Sequence, residues 1–278
     1  MKKIGLVGMS NGQQRENKPN VLNLIKTINE CGYEVALGDY IYETENYFSG
    51  SPQDKAKDLM KMYDDDDISQ IFDISGGDVA NEVLEYLDYQ VIANSDKIFY
   101  GYSDVTTVIN AIYAKTGKAS GLYQIRNLIY ENSQSQIQAF KDNFSYQNEK
   151  LEYSFIQEGY MKGVVIGGNI RCFLKLAGTE YMPDFTDKIL LLEGLNTTSM
   201  QCATYLAQLR QMGAFKKING ILLGTFTRLD KEIFVPSVEE LVYKYAGADI
   251  AVARTHQIGH GSDSRCIYIG NELELIDN

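Results

Sequence analysis

Short apolar runs alternate with amphipathic stretches through the first 125 residues, and this alternation limits the fold more than any other feature. Residues 4–9 read as a buried strand. Over 21–31, Val21, Ile25 and Ile28 share one helix face, with Asn20 as cap and Gly32 as stop. Strands are expected at 33–37, 68–75, 97–102 and 121–125, and helices at 55–63, from Asp78 to Leu87, and at 104–115. Repeated β-α units imply a parallel sheet with helices on both faces, here a flavodoxin-like α/β domain. Ligands of such sheets bind outside the carboxyl ends of the strands. Gly76-Gly77 and Ser103 both fall at such ends.

The polar stretch 132–150 reads as a helix plus linker, which divides the chain into domains 1–145 and 146–278. The second domain is also α/β but richer in strands, expected at 151–156, 162–166, 188–193, 220–226, 250–253 and 265–269. Its helices are expected at 169–176, 198–212 and 238–245. The first apolar run turns polar too soon for a signal peptide, and no run approaches the roughly 20 residues that span a bilayer. A net charge of -11 argues against nucleic acid or an anionic membrane as the main partner. Cys31, Cys172, Cys202 and Cys266 are scattered without a C-x-x-C pair, so a reduced, cytoplasmic chain without a zinc or redox site is expected, and since G-x-G-x-x-G and G-K-[ST] are absent, no cofactor is expected. The acidic run 64–67 reads as a solvated loop, because four adjacent carboxylates cannot all face one ion.

Ser103 stands between a strand and a helix in Lys97-Ile98-Phe99-Tyr100-Gly101-Tyr102-Ser103-Asp104-Val105-Thr106. A nucleophile on such a turn faces the sheet's carboxyl edge. The usual pattern is G-x-S-x-G, and Val105 replaces its second glycine. A Ser-Asp pair here also suits a plain helix cap. A serine nucleophile needs a base, and the chain has two histidines, His256 and His260. Glycines flank His260 on both sides, which marks a tight loop; His256 reads as a surface or core residue. Glu193 closes the apolar run 188–192 and could orient the histidine, or simply mark where solvent begins. Gly77 and the amide of Asp104 are candidate oxyanion donors, although a phosphate-binding loop or a plain β-α turn would look the same. Gly167-Gly168-Asn169 offers further backbone donors, and Gly76, Asn169 and Arg171 are candidate substrate contacts. The alternative there is a helix cap.

Taken together, several segments resemble the LD-carboxypeptidase family of serine peptidases, which includes muramoyltetrapeptide carboxypeptidase and the microcin self-immunity peptidases. They are Gly76-Gly77 with Leu84-Glu85-Tyr86-Leu87-Asp88-Tyr89, the Gly101-Tyr102-Ser103-Asp104-Val105-Thr106 turn, Gly167-Gly168-Asn169, 189–193, 206–213 with 218–226, and Gly259-His260-Gly261. The resemblance implies a nucleophile-bearing N-terminal α/β domain and a C-terminal domain carrying a glutamate and a histidine. It implies a Ser103–Glu193–His260 triad, an oxyanion hole of Gly77 and Asp104 amides, a homodimer and no metal. The implied substrate is a murein tetrapeptide that loses its terminal D-alanine, or, on the immunity branch, a peptidyl or aminoacyl nucleotide. The chain departs from the family at Ser10-Asn11-Gly12, at Asp78-Val79 and at Arg126-Asn127, and Asn81 resembles the immunity branch. A non-catalytic binding protein that kept the fold, and a hydrolase built on Cys172, are the remaining readings.

Overall fold

A computed structural model describes residues 2–44, 48–144, 151–157, 159–232 and 235–277. Two six-stranded sheets carry the architecture. The first is built from β1 (Lys3–Val7), β2 (Glu34–Leu37), β3 (Ile68–Asp73), β4 (Ile98–Gly101) and β5 (Ser120–Leu122), all parallel in the order β5-β4-β3-β1-β2. The second is built from β6 (Ser154–Gln157), β7 (Tyr160–Asn169), β8 (Lys188–Gly194), β9 (Gly220–Phe226) and β10 (Ala251–Arg254). Here β7-β8-β9-β10 run parallel, and β6 closes one edge antiparallel to β10. The strand core of β8 is apolar throughout, Ile189 to Leu192 with no exposed surface, because helices cover both faces.

The helices are α1 (Lys18–Glu30), α2 (Pro52–Asp64), α3 (Tyr89–Asn94), α4 (Thr106–Thr116), α5 (Ser133–Lys141), α6 (Ile170–Phe173), α7 (Ser199–Gln211), α8 (Thr227–Lys231) and α9 (Val238–Ala246). Capping boxes start α2 at Ser51, α7 at Thr198 and α9 at Ser237.

Three expectations change. The helix expected up to Leu87 is a run of 3-10 turns, Ala80–Tyr86. A true helix, α3, follows because Asp88 accepts from the amides of Gln90 (2.9 Å) and Val91 (3.1 Å). The helix expected from residue 104 begins at Thr106, after a 3-10 turn over Ser103–Val105. The strand expected at 265–269 is β11 (Ile267–Ile269), which pairs antiparallel with β5 in the first sheet. The chain then returns as β12 (Glu272–Ile276) against β7, a strand whose alternating exposed and buried residues went unread. The helix expected within 132–150 is α5; residues 145–150 of the expected linker lie outside the described residues.

The two sheets share one core. Val108, Ile109 and Ile112 of α4 belong to the same apolar cluster as Val165, Ile166 and Ile170. At its centre the buried Asn110 grips the backbone of Gly167, accepting from its N–H at 2.9 Å and donating to its carbonyl at 2.8 Å. This contact holds the carboxyl end of β7 against the helix that follows Ser103. Among the described residues, no helix is long and apolar enough to cross a membrane.

Candidate active site

Ser103 has φ +54°, a left-handed conformation that is strained for a side chain larger than glycine. The turn is also tightly packed. A Cβ on Gly101 would stand 3.0 Å from Val105 Cβ and 3.3 Å from Ile109 Cγ2, so the strand end lies directly against the following helix. A side chain at 101 would meet the one that position 105 carries. Val105, fully buried, therefore replaces the second motif glycine without opening the turn. Gly101→Ala is expected to destabilise the fold by about 1–3 kcal/mol through overpacking. A urea-denaturation midpoint measures this, and adding Val105→Ala should restore part of the loss.

His260 lies between the other two candidates. Its Nδ1 is 2.6 Å from Glu193 Oε2, and its Nε2 is 3.1 Å from Ser103 Oγ. Glu193 accepts only, so Nδ1 carries the proton and Nε2 turns its lone pair to the serine hydroxyl. The His260 and Glu193 side chains are 4% and 1% exposed, which excludes water from their bond. The Tyr102 ring packs on the imidazole with centroids 4.4 Å apart. Residues from the turn after β4, the end of β8 and the loop before β11 thus converge, although 157 positions separate Ser103 from His260. His256 is exposed. Cys172 is buried, and burial pushes its thiol well up, so it supplies no thiolate.

Gly77 has φ +135°, and its carbonyl accepts from Arg171 Nη2 at 2.9 Å. A Cβ there would fall 2.7 Å from Asn11 Nδ2. Asn11 shapes the glycine turn further: it bridges Gly76 antiparallel, and its Oδ1 accepts the Asp78 N–H at 2.9 Å. Two of the backbone donors expected from 167–169 are otherwise engaged. Gly167 N–H goes to Asn110, and Asn169 N–H goes to Thr106 Oγ1 at 3.2 Å. Asn169 also caps α6 by accepting the Cys172 N–H at 3.3 Å.

Beneath the serine lies a polar network that sequence reading missed. The Asp104 carboxylate, with no exposed surface, accepts from Ser10 Oγ (2.7 Å), from the Ala80 N–H (2.8 Å) and from Lys175 Nζ. Ser10 is held in turn by Lys55, whose Nζ donates to its carbonyl at 2.5 Å. Burial lowers the Lys55 pKa, partly offset by Asp73, Glu82 and Asp104. Asp73 accepts from the Met9 and Ser75 amides, both at 2.6 Å, and burial pushes its carboxyl up to about 6. The only advance sign of this network was Asp104's place after Ser103.

The serine opens into a cleft of about 280 Å³ lined by Asp78, Asn169, Arg171, Asn196, Gln201 and Tyr205, among others. Arg171 pairs with Asp78 across it. A larger depression, about 760 Å³, lies at the amino ends of β3 and β4 among Asp64, Asp66, Asp88 and Asp96, remote from these groups.

A strained serine at a strand end, facing a buried histidine–carboxylate pair, is the arrangement of a serine hydrolase. Comparison with known proteins defines the class further. Residues 4–124 match the LD-carboxypeptidase N-terminal domain, and residues 162–275 match the LD-carboxypeptidase C-terminal domain. The chain therefore belongs to the LD-carboxypeptidase family and is a peptidase. It is 27% identical over 265 residues to a Bacillus subtilis protein named probable murein peptide carboxypeptidase, covering 89% of this chain and 81% of that one. It is 26% identical over 243 residues to the microcin C7 self-immunity protein MccF of Escherichia coli, covering 74% and 70%. The crystal structure of an MccF-like protein from Bacillus anthracis superposes with a TM-score of 0.87 at 26% identity, covering 100% of this chain and 94% of that one.

Proposed function

We propose that the protein is a serine carboxypeptidase that cleaves an amide bond next to a free carboxylate, with murein tetrapeptide as substrate and terminal D-alanine as product. The observation that carries this reading is the Glu193–His260–Ser103 chain of hydrogen bonds at the mouth of a cleft that also holds Arg171. Ser103 Oγ attacks the carbonyl carbon while His260 Nε2 takes its proton. Glu193 holds the imidazole and stabilises its charged form. The Gly77 and Asp104 amides receive the oxyanion, each worth about 3 kcal/mol of barrier. His260 then returns the proton to the leaving amine, and water releases the acyl group by the same route. Arg171, a guanidinium on the cleft wall with Asn169, is suited to a substrate carboxylate, and Gly76 is proposed as a further substrate contact.

The murein peptide relative supports this substrate. The self-immunity relative supports a second reading, in which the same groups cut an aminoacyl or peptidyl nucleotide. Incubation with murein tetrapeptide and, separately, with an aminoacyl sulfamoyl nucleotide decides between them by mass spectrometry of the products. Release of D-alanine alone is expected; cleavage of the nucleotide alone would replace the first reading by the second. The same reading divides the chain at 145/146, makes it a cytoplasmic homodimer, and needs no cofactor. Light scattering in solution tests the dimer.

A further inference from the structure

The two amides proposed for the oxyanion stand on separate segments. Gly77 follows β3 and Asp104 follows β4, and the paired register of these strands ends at Phe72 and Tyr100. Beyond that point the sheet no longer spaces the two loops. Lys175, just past α6 and brought in by the second sheet, touches both. Its Nζ donates to the Asp78 carbonyl at 2.7 Å, and it also donates to the Asp104 carboxylate. The lysine side chain is 19% exposed and the aspartate 0%. Arg171, four residues earlier, holds the Gly77 carbonyl, so one helical run grips the first loop twice.

The geometry points to Lys175 as a positioning residue: it ties the glycine loop to the nucleophile turn and so sets the distance between the Gly77 and Asp104 amides. This inference rests on the reading of those amides as the oxyanion hole. An ammonium suits the task, since its three donors reach a carbonyl and a carboxylate in different directions at once. A hole so spaced discriminates the tetrahedral state from the planar carbonyl, so Lys175 acts on kcat and leaves substrate binding alone.

The test compares the full chain with Lys175→Met and Lys175→Arg. Three quantities are read: kcat and KM on murein tetrapeptide, the rate at which a fluorophosphonate labels Ser103, and the affinity for the non-covalent product peptide. For Lys175→Met, kcat and labelling rate should fall together by about 10- to 100-fold, the scale of an ångström-sized misplacement. KM and product affinity should stay within about threefold. Lys175→Arg keeps the charge but not the reach, and should recover part of the loss. A folded Lys175→Met with wild-type kcat and labelling rate overturns the inference, as does equal weakening of labelling and product binding. If Lys175→Met does not fold by circular dichroism, Lys175→Arg decides: a drop of about threefold or more in labelling supports the role, and a wild-type rate overturns it. If the unaltered protein neither labels nor turns over peptide, it is the proposed function that fails.

Discussion

Ser103→Ala is expected to lower kcat/KM by about 10⁶-fold, the scale on which losing the nucleophile of a serine hydrolase is felt. The fold should survive. Alanine occupies the same backbone conformation at φ +54° with no larger side chain, and among the described residues the bond lost is the 3.1 Å contact with His260 Nε2. That bond is worth about 1 kcal/mol of stability. Activity should therefore vanish while the thermal midpoint moves by only a few degrees. Fluorophosphonate should add one equivalent to the unaltered protein and none to the variant, read by intact mass. Retention of a tenth of the wild-type rate would remove Ser103 from the chemistry and revive the non-catalytic reading of the fold.

Glu193→Gln carries the second large effect, a fall of about 10⁴-fold in kcat. The reason lies in what each carboxylate oxygen meets. Oε2 accepts from His260 Nδ1 at 2.6 Å, whereas Oε1 is buried with no partner among the described residues. A glutamine amide has two ways to fit. With its NH₂ toward His260, it donates where an acceptor is needed, and the imidazole shifts its proton to Nε2, away from the role of base. With its oxygen toward His260, the NH₂ is buried without an acceptor, which costs about 1–3 kcal/mol, and the negative charge that stabilises the imidazolium is gone. Either fit lowers kcat. Stopped-flow acylation at several pH values tests it: the variant should acylate slowly at every pH, while product peptide binds as before. Acylation within tenfold of wild type would leave Glu193 a structural residue.

Much of this site is legible in the chain, for local reasons. The Ser103 turn is announced by a strand, a glycine and a helix in immediate succession. Glu193 is visible because four apolar residues end on a charge. His260 stands out because only two histidines exist and glycines frame one of them. The Val105 position is different. Its side chain looks like a defect in the motif until it is seen to pack directly against Gly101, a contact that spacing alone does not display. Lys175 gave no signal at all. It lies 71 positions from Asp104 and meets it only because Asn110 clamps Gly167 and so brings the head of α6 under the nucleophile. Two of the backbone donors expected at 167–169 went to that same clamp and to Thr106, since a buried amide takes the nearest acceptor.

The sequence by itself determined the two α/β halves, the strand ends on which chemistry can stand, and the three residue types that a serine hydrolase requires. These follow from periodicity and from the turn chemistry of adjacent residues, which act over a few positions. Tertiary structure alone decided that β11 crosses back to the first sheet, that His260 stands within 3.1 Å of Ser103, and that Asp104 is a buried hub between Ser10, Ala80 and Lys175. Those outcomes depend on where two sheets come to rest against α4, and that is set by the burial of apolar surface from both halves at once.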